Sequence, residues 1–187
     1  MVVFQSITVN EYKNNYMTFQ LLYAFHQTPF GKCLVAITDT DEDVAYLGFV
    51  DDDEAMALRD LTAKWPLTVV SKDTANKTGT VIEKIFHSND LHSIHVLMKG
   101  TAFQIKVWNS LIKIPGGTVT TYEDVARMVD YSSKAAITVG NAISRNYIAY
   151  VVPCHRVAAK THTRNAKYAW GLERKEAILK YERQLFA

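Results

Sequence analysis

The pattern of apolar residues changes near residue 99, and this change constrains the fold more than any other feature of the chain. Before it, short apolar runs such as residues 33–38 are separated by turn residues, which is typical of β-strands. After it, apolar residues recur at four-residue intervals between residues 103 and 111, which is typical of one helix face. The sequence therefore predicts an α+β protein with two domains, residues 1–98 and 99–187.

The first 98 residues predict a small α/β domain with an antiparallel sheet. Turn residues at 27–31 separate two apolar runs and indicate a hairpin. The acidic run at residues 51–54 comes before a predicted helix at about 53–65, where negative charge complements the helix dipole. Such a cluster is also compatible with a divalent metal, but helix capping is the better interpretation. A second helix is expected at 74–87, and residues 1–17 read as a poorly anchored extension.

Charge divides the chain at the same place. Residues 99–187 contain 14 Lys and Arg against 6 Asp and Glu, a net charge of +8. Residues 1–98 contain 7 Lys and Arg against 13 Asp and Glu, a net charge of −6. A basic half joined to an acidic half is what a duplex-binding surface on one side would produce. Ordinary solvated surface is the alternative, which charge alone does not exclude.

The remaining composition predicts a protein of a reducing compartment without a metal or cofactor. The chain has 2 cysteines, which cannot form a disulfide framework. It has no apolar run approaching the roughly 20 residues of a membrane span and no signal-peptide pattern at its start. His87, His92 and His95 lack metal-ligand spacing. We expect no membrane association, and a location that is cytoplasmic (nucleoid-associated in a bacterium) or nuclear.

Two predicted helices in the second half are joined by a turn. Residues 120–123 have the form of a capping box, residues 130–133 form a turn, and a second helix follows at about 133–145. The second helix has an apolar face and a polar one, the latter formed by Lys134, Thr138, Asn141 and Arg145. Two short helices and a turn are weak evidence for DNA binding when taken alone.

Residues 151–157 carry the clearest chemical signal. Cys154 is followed by a base, His155, and a fixed cation, Arg156, while Pro153 stiffens the backbone that enters the cysteine. A free cysteine has a pKa of about 8.5, and lowering it by about two units would make the nucleophilic thiolate the majority form. The alternative is a buried structural cysteine, the commoner fate of a lone Cys.

A carboxylate near the C-terminus is a candidate partner for His155. Glu182 falls on the apolar face of a predicted terminal helix, together with Leu172, Leu179 and Phe186. A carboxylate in that position is costly unless it is paired. An exposed glutamate at a frayed helix end is the alternative.

These residues resemble the O6-alkylguanine-DNA alkyltransferase (methylated-DNA–protein-cysteine S-methyltransferase) family, and the resemblance covers essentially all of residues 99–187. It is carried by Gly100-Thr101-Ala102-Phe103-Gln104, Val107-Trp108, Ile114-Pro115, Thr121-Tyr122, Ala126, Lys134-Ala135-Ala136, Val139-Gly140, Asn146, Pro153-Cys154-His155-Arg156-Val157, Tyr168-Ala169-Trp170-Gly171-Leu172 and Glu182. It implies an RNase H-like N-terminal domain followed by an all-helical C-terminal domain with a helix-turn-helix. It also implies DNA repair by irreversible, single-turnover transfer of an alkyl group to Cys154 from O6 of a flipped-out guanine. O4 of thymine is a further candidate for the alkylated atom.

The resemblance also assigns roles to individual residues. The predicted catalytic set is Cys154, His155, Glu182, Asn146 and Tyr122, in which His155 acts on the thiol through water and Asn146 ties the recognition helix to an active-site strand. The predicted alkyl pocket contains Tyr168 and Val157. The predicted DNA contacts are Gln104, Lys134, Ala135, Ala136, Ile137, Thr138, Asn141, Arg145 and Arg156. The expected partner is double-stranded DNA bearing O6-alkylguanine, bound through its minor groove by a monomer.

Ile137 departs from the family pattern, in which an arginine usually fills the gap left by the flipped base. An isoleucine can wedge between bases by apolar contact, but it cannot hydrogen-bond the orphaned cytosine. We therefore expect slower repair or an altered substrate preference.

Three other classes of function compete with alkyl transfer. A damage sensor without transfer activity is disfavoured by the presence of Cys154, because such relatives usually replace the cysteine. A helix-turn-helix regulator is disfavoured because no dimerisation segment is evident. A cysteine hydrolase would differ from both by catalytic turnover on an ester.

Overall fold

The computed structural model describes residues 2–87, 94–160 and 168–186. The chain forms two compact units, Met1–Thr101 and Ala102–Ala187. The pattern change in the sequence placed the boundary three residues earlier. The described part of the first unit consists of β1 (Val3–Thr8), α1 (Val9–Asn15), β2 (Leu21–Thr28), β3 (Gly31–Thr38), β4 (Val44–Phe49), α2 (Glu54–Lys64), β5 (Val70–Lys72), α3 (Lys77–His87) and β6 (His95–Gly100).

The six strands form one mixed sheet in the order β1-β6-β4-β3-β2-β5. Strands β2, β3 and β4 are antiparallel neighbours, whereas β1 with β6, β4 with β6, and β2 with β5 are parallel pairs. The predicted antiparallel sheet is therefore wrong in part, although the mixed α+β class is confirmed. Short turns produce antiparallel neighbours, while the strands reached through helices return in the parallel sense. An RNase H-like topology stays a prediction.

The N-terminal residues are part of this sheet. Strand β1 pairs with β6 from Val3 opposite His95 to Thr8 opposite Gly100. In α1, Tyr12 is 2% exposed and its hydroxyl lies 2.9 Å from the hydroxyl of Thr68. The prediction of a poorly anchored extension was wrong, because the strand-forming run after Met1 was overlooked.

Helix capping in the first unit follows the sequence prediction. Asp53 is the N-cap of α2, and its carboxylate accepts a hydrogen bond of 2.8 Å from the backbone N–H of Met56. The apolar centre of the sheet lies in β3 and β4, which are buried over most of their length. Trp65 is also fully buried and donates from Nε1 to the carbonyl of Ala45 at 3.0 Å, so the end of α2 is fixed to the sheet.

The second unit is mainly helical. Its described elements are α4 (Ala102–Leu111), β7 (Thr120–Thr121), α5 (Tyr122–Met128), a 3₁₀ helix (Ser133–Ala135), α6 (Ala136–Ile143), a second 3₁₀ helix (Cys154–Arg156), β8 (Val157–Ala158) and α7 (Leu172–Leu185). The all-helical prediction was wrong in one detail, since β7 and β8 form a short parallel pair. The β-branched residues in β7 and its neighbourhood favour this extended backbone.

The two helices around the predicted turn are present with shifted ends. The capping box of α5 is formed by Thr121 and Asp124, one residue later than predicted. Asp130 adopts the left-handed conformation with φ of 62° after α5 ends. The second helix begins as the 3₁₀ turn and ends at Ile143, two residues before the predicted end.

In the residues that the structure describes, no helix combines the length and apolar character needed to cross a membrane.

Candidate active site

Cys154 stands at the start of the second 3₁₀ helix, immediately after Pro153. The predicted active-site strand is wrong, because turns rather than a strand occupy the apolar run before the cysteine. The backbone N–H of Cys154 donates to the carbonyl of Val152 at 2.8 Å, and Tyr150 has a φ of 64°. A left-handed conformation is unfavourable for a residue with a side chain, so the surrounding contacts must hold this turn in place.

Asn146 provides several of those contacts. Its side-chain amide donates to the carbonyl of Val152 at 2.9 Å and lies 3.1 Å from Sγ of Cys154. Its oxygen accepts a 3.0 Å hydrogen bond from the backbone N–H of Ile148. The side chain therefore connects the segment after α6 to the cysteine, and it orients one polar hydrogen toward the sulfur.

The Cys154 thiol is buried, with 7% of the residue exposed. Burial disfavours the thiolate and raises the pKa of Cys154 to about 11, against a smaller opposing effect of the Asn146 amide and the charge of Lys175. The prediction of a depressed pKa was therefore wrong. At neutral pH the resting side chain is a thiol, and it needs a base to become a nucleophile.

His155 and Glu182 form a buried pair next to the cysteine. Nε2 of His155 lies 2.8 Å from Oε1 of Glu182, and the two side chains are 0% and 1% exposed. Burial lowers the pKa of His155. Burial opposes ionisation of Glu182, but hydrogen bonds from His155 and Arg156 outweigh it and lower the pKa of Glu182 to about 2.

This pairing fixes the tautomer of the imidazole. An ionised carboxylate only accepts hydrogen bonds, so the proton of neutral His155 is on Nε2. Nδ1 is left unprotonated, and it has no hydrogen-bond partner among the described residues. The arrangement supplies a neutral base, oriented by a carboxylate, on the residue that follows the cysteine in the chain.

Arg156 belongs to the same cluster. Its guanidinium binds Glu182 through Nε at 3.1 and 3.2 Å and through Nη2 at 2.7 Å, and Nη1 donates to the carbonyl of Ile114 at 2.5 Å. The backbone N–H of Gly117 donates to Oε2 of Glu182 at 3.2 Å. The Arg156 side chain is 15% exposed. Its predicted contact with DNA is not supported by this placement, because its donors are engaged inside the protein.

An open cavity of about 1050 Å³ gives access to the cysteine. Six residues that matter for its chemistry line it, namely Tyr122, Ile137, Gly140, Asn146, Cys154 and Tyr168. Burial raises the pKa of both tyrosines, and the Tyr168 hydroxyl has no partner among the described residues. Val157, predicted to line the pocket, is instead buried in β8 and does not line the cavity.

Most residues predicted to contact DNA occupy the start and the outer face of the second helix, whereas Gln104 lies in α4. Lys134, Ile137, Thr138, Asn141 and Arg145 are exposed, whereas Val139, Ala142 and Ile143 face the core. The side chains of Ala135, Ala136 and Gln104 are half-buried. Ile137 is 80% exposed, which is a high value for a large apolar side chain.

Lys175 belongs to the buried face of α7 and was not predicted as a site residue. This lysine is 5% exposed and donates from Nζ to the carbonyl of Val157 at 2.6 Å. The sequence spacing indicated its position, since Lys175 lies seven residues before Glu182 and therefore on the same face of α7. In the ranges 2–87, 94–160 and 168–186, no group of three His, Cys, Asp or Glu side chains is arranged to hold a metal ion. His92 lies outside those ranges.

The fold and the site together define an α+β protein with a buried cysteine at an open cavity. Residues 102–184 match the family described as "6-O-methylguanine DNA methyltransferase, DNA binding domain". A methylated-DNA–protein-cysteine methyltransferase of Methanosarcina acetivorans is 34% identical over 164 residues, which cover 87% of this chain and 98% of that protein. The chain belongs to the methylated-DNA–protein-cysteine methyltransferase family, as the sequence resemblance predicted.

Other relatives agree with this membership. The bifunctional transcriptional activator/DNA repair enzyme Ada of Escherichia coli is 29% identical over 94% of this chain, but only 49% of Ada is covered. The crystal structure of the O6-methylguanine methyltransferase of Mycobacterium tuberculosis superposes with a TM-score of 0.67 at 26% identity, covering 88% of this chain and 94% of that one. A structure of the same organism's protein in complex with DNA superposes with a TM-score of 0.66 at 27% identity, covering 87% of this chain and 93% of that chain.

Proposed function

We propose that this protein repairs DNA by direct reversal, moving a methyl or larger alkyl group from O6 of guanine onto Cys154. The observation that carries the proposal is the position of the Cys154 thiol. It lines an open cavity and has a neutral, carboxylate-oriented imidazole as its neighbour in the chain. Family membership adds the substrate class, since the relatives are named for methylated DNA.

The target carbon must leave the base stack before it can meet the sulfur. Inside a duplex the O-alkyl carbon of guanine is out of reach of a buried thiol, so the nucleotide has to be rotated into the cavity. Extrusion costs a few kcal/mol, and less where the alkyl group already weakens pairing. The cavity is open and partly aromatic, with Tyr122 and Tyr168 in its lining, and these properties suit an everted base.

Proton transfer and attack are coupled in this scheme. Because the pKa of Cys154 is about 11, little thiolate exists at neutral pH. Nδ1 of His155 takes the thiol proton through one bridging water, and Glu182 stabilises the imidazolium through the Nε2 hydrogen bond. The sulfur forms a bond to the alkyl carbon as the carbon–O6 bond breaks, and guanine leaves as its O6 anion.

The products of the reaction follow from the bonds and protons exchanged in these steps. A proton returns to a ring nitrogen of guanine, and the Tyr122 hydroxyl in the cavity lining is a candidate donor for it. The bond formed is a thioether, which is stable in water, so each protein molecule reacts once. No cofactor takes part in this sequence of steps.

For DNA recognition we propose a helix-turn-helix made of α5, the turn, the 3₁₀ helix at residues 133–135 and α6, used in the minor groove by a monomer. Lys134 and Arg145 are exposed and supply phosphate contacts. The small side chains of Ala135 and Ala136 permit close approach of a sugar–phosphate backbone. Thr138 and Asn141 are exposed on the same surface, and Gln104 is a further candidate phosphate contact.

Intact mass spectrometry tests the proposal. The purified protein is incubated with a duplex that contains one O6-methylguanine, and the expected result is the addition of a single methyl group to Cys154. Cys154→Ser removes the acceptor and should abolish the adduct. Cys33→Ser is the matched control, because Cys33 is fully buried in β3 with a pKa raised to about 12 by burial, and its loss should leave transfer intact.

The same experiment separates the competing functions. A damage sensor or a helix-turn-helix regulator would gain no mass on incubation with the methylated duplex. A hydrolase would release product repeatedly without lasting modification. Any of these outcomes overturns the proposal, and a parallel reaction with O4-methylthymine measures the breadth of the substrate class.

A further inference from the structure

Three buried polar atoms of the described residues have no hydrogen-bond partner. They are Oε2 of Glu123, Nδ1 of His155 and the hydroxyl of Tyr168. Buried polar groups almost always have a partner, so each exception needs an explanation. His155 has one in its proposed role as the base, and Tyr168 is a predicted residue of the alkyl pocket. Glu123 has neither a predicted role nor a part in the proposed mechanism.

Glu123 belongs to the wall of the cavity that gives access to Cys154. It is the second residue of α5 and directly follows Tyr122, and both residues line the cavity. Tyr168 lines the same cavity. The unpartnered carboxylate oxygen therefore belongs to a residue that a molecule filling the cavity would contact.

Helix capping does not explain the position of Glu123. Acidic residues in the first turn of a helix interact favourably with its dipole, and α5 has two of them, Glu123 and Asp124. Asp124 forms the capping box, accepting hydrogen bonds from the Thr121 backbone N–H at 3.2 Å and from the Thr121 hydroxyl at 2.6 Å. The dipole also acts on a carboxylate in water, so it does not require a buried oxygen without a donor. Burying such an oxygen costs free energy unless it is hydrogen-bonded.

The chemistry of the missing partner follows from the carboxylate of Glu123. A carboxylate only accepts hydrogen bonds, so the partner must supply an N–H or O–H group. A phosphate of the DNA backbone is disfavoured, because like charges repel. Alkylation at O6 leaves N1 of guanine without a hydrogen, so the remaining N–H donor of the base is its exocyclic amine at C2. Enzymes that act on an everted base read it through hydrogen bonds to its Watson–Crick edge, on which this amine lies.

We propose that Glu123 is a specificity-determining residue, which accepts a hydrogen bond from the exocyclic amine of the everted guanine. This inference rests on the proposed function, because that function brings the base into the cavity. Two other alkylated bases lack a suitable donor: O6-alkylhypoxanthine has no exocyclic amine, and O4-alkylthymine has no N–H group. Either base would leave Oε2 of Glu123 unpaired in a cavity from which it has displaced water. Glu123 therefore selects alkylguanine over both.

The test measures base selection without methyl transfer. All proteins in it carry Cys154→Ser, so that the methyl group stays on the base and binding reaches equilibrium. Affinity is measured by fluorescence anisotropy for two duplexes that differ only in the amine, one with O6-methylguanine and one with O6-methylhypoxanthine. The ratio of the two dissociation constants cancels the contacts with phosphates, which are common to both duplexes. With Glu123 present, the duplex with the amine should bind at least about tenfold more tightly.

Substitutions of Glu123 show whether its carboxylate is the source of this preference. Glu123→Ala removes the acceptor, and the ratio should fall about tenfold. Glu123→Gln keeps an acceptor oxygen but loses the charge, so the ratio should fall about threefold. Glu176→Gln, at an exposed position on α7, is the matched control and should leave the ratio unchanged. Affinity for the unmodified duplex checks that each variant is folded.

The inference is overturned if Glu123→Ala leaves the ratio unchanged. Equal weakening of both modified duplexes would have the same meaning, since Glu123 would then only support α5. If Glu123→Ala does not fold, Glu123→Gln decides the question by the same criterion. Absence of methyl transfer to Cys154 in the repair assay would overturn the proposed function, but it would not alter a ratio measured without transfer. Normal methyl transfer together with an unchanged ratio would overturn this inference alone.

Discussion

Oε1 of Glu182 lies 2.8 Å from Nε2 of His155, and both side chains are almost completely buried. The two residues are 27 positions apart in the chain, and α7 brings them together. Because the carboxylate stays ionised, the imidazole presents an unprotonated Nδ1 as a base. This one contact fixes the tautomer of the base and provides the charge that stabilises its protonated form.

Replacing Glu182 by Gln should slow the transfer of methyl from DNA about 100-fold in a single-turnover experiment, because the imidazolium loses its stabilising charge. An amide oxygen can still accept from Nε2, so the geometry is largely retained. The rate is measured by quenching mixtures of protein and methylated duplex and counting modified Cys154. Glu176→Gln, on the exposed side of the same helix, should react normally. An unchanged rate in Glu182→Gln would show that His155 does not act as the base.

The same carboxylate should make the protein sensitive to acid. Its pKa falls from 4.5 to about 2 on folding, so the stabilisation is fully present above about pH 4.5 and is lost as the pH falls toward 2. The amount is on the order of 3 kcal/mol. Urea unfolding at a series of pH values should show a shallower decline for Glu182→Gln than for the wild type in this window. Parallel curves for the two proteins would contradict the assignment.

Asn146→Ala should destabilise the second unit by about 2 kcal/mol, because the substitution leaves the buried N–H of Ile148 without its partner and removes one of two hydrogen bonds to the carbonyl of Val152. It should also reduce alkyl transfer, since the turn that presents Cys154 loses its support. Chemical unfolding gives the change in stability. Asn109→Ala provides the comparison, because Asn109 is exposed on α4 and its loss should change stability by less than about 0.5 kcal/mol.

The secondary structure was largely predictable where local signals were strong. Asp53 capped α2 as expected, and the helix predicted at about 133–145 appeared within two residues of its predicted limits. The sheet was less predictable, because the parallel partners β1 and β6 are about ninety residues apart and no local pattern encodes their pairing. Alternation of apolar and polar residues along the chain identifies strands, but it says little about which strands pair in the sheet.

The site shows the same limit. Cys154, His155 and Glu182 were found from their residue types and from the family resemblance, but the state of the thiol was not. The flanking His155 and Arg156 predicted a depressed pKa, whereas the fold buries the sulfur and commits the arginine to Glu182. Proximity in sequence therefore misjudged the electrostatic environment of the cysteine. The burial of Lys175, 21 residues away, was not predicted for the same reason.

DNA binding should depend steeply on salt. If about six phosphates are contacted, affinity should fall by roughly three decades between about 50 and 200 mM salt. Lys134→Ala should weaken binding to all duplexes alike and reduce the slope of the log–log plot by about one. Fluorescence anisotropy with labelled duplexes measures both quantities. Lys13→Ala, in α1 of the acidic half, is a control whose slope should match the wild type.

Ile137 should determine how the protein treats the gap left by the everted base. Its side chain is 80% exposed and lines the cavity that contains Cys154, so an apolar wedge is presented at the point where a nucleotide would enter. Such a wedge fills space without hydrogen bonds, so the single-turnover rate should depend little on whether cytosine or thymine was opposite the lesion.

Ile137→Arg adds a donor that can bind the orphaned cytosine, and it should accelerate repair opposite cytosine more than repair opposite thymine. Ile137→Ala removes the wedge and should slow both reactions. The measurement is the transfer rate to Cys154 on matched pairs of duplexes, with tight-binding conditions chosen so that affinity does not limit the rate. If Ile137→Arg transferred methyl at the wild-type rate on every duplex, Ile137 would not fill the gap, and the exposed isoleucine would need another explanation.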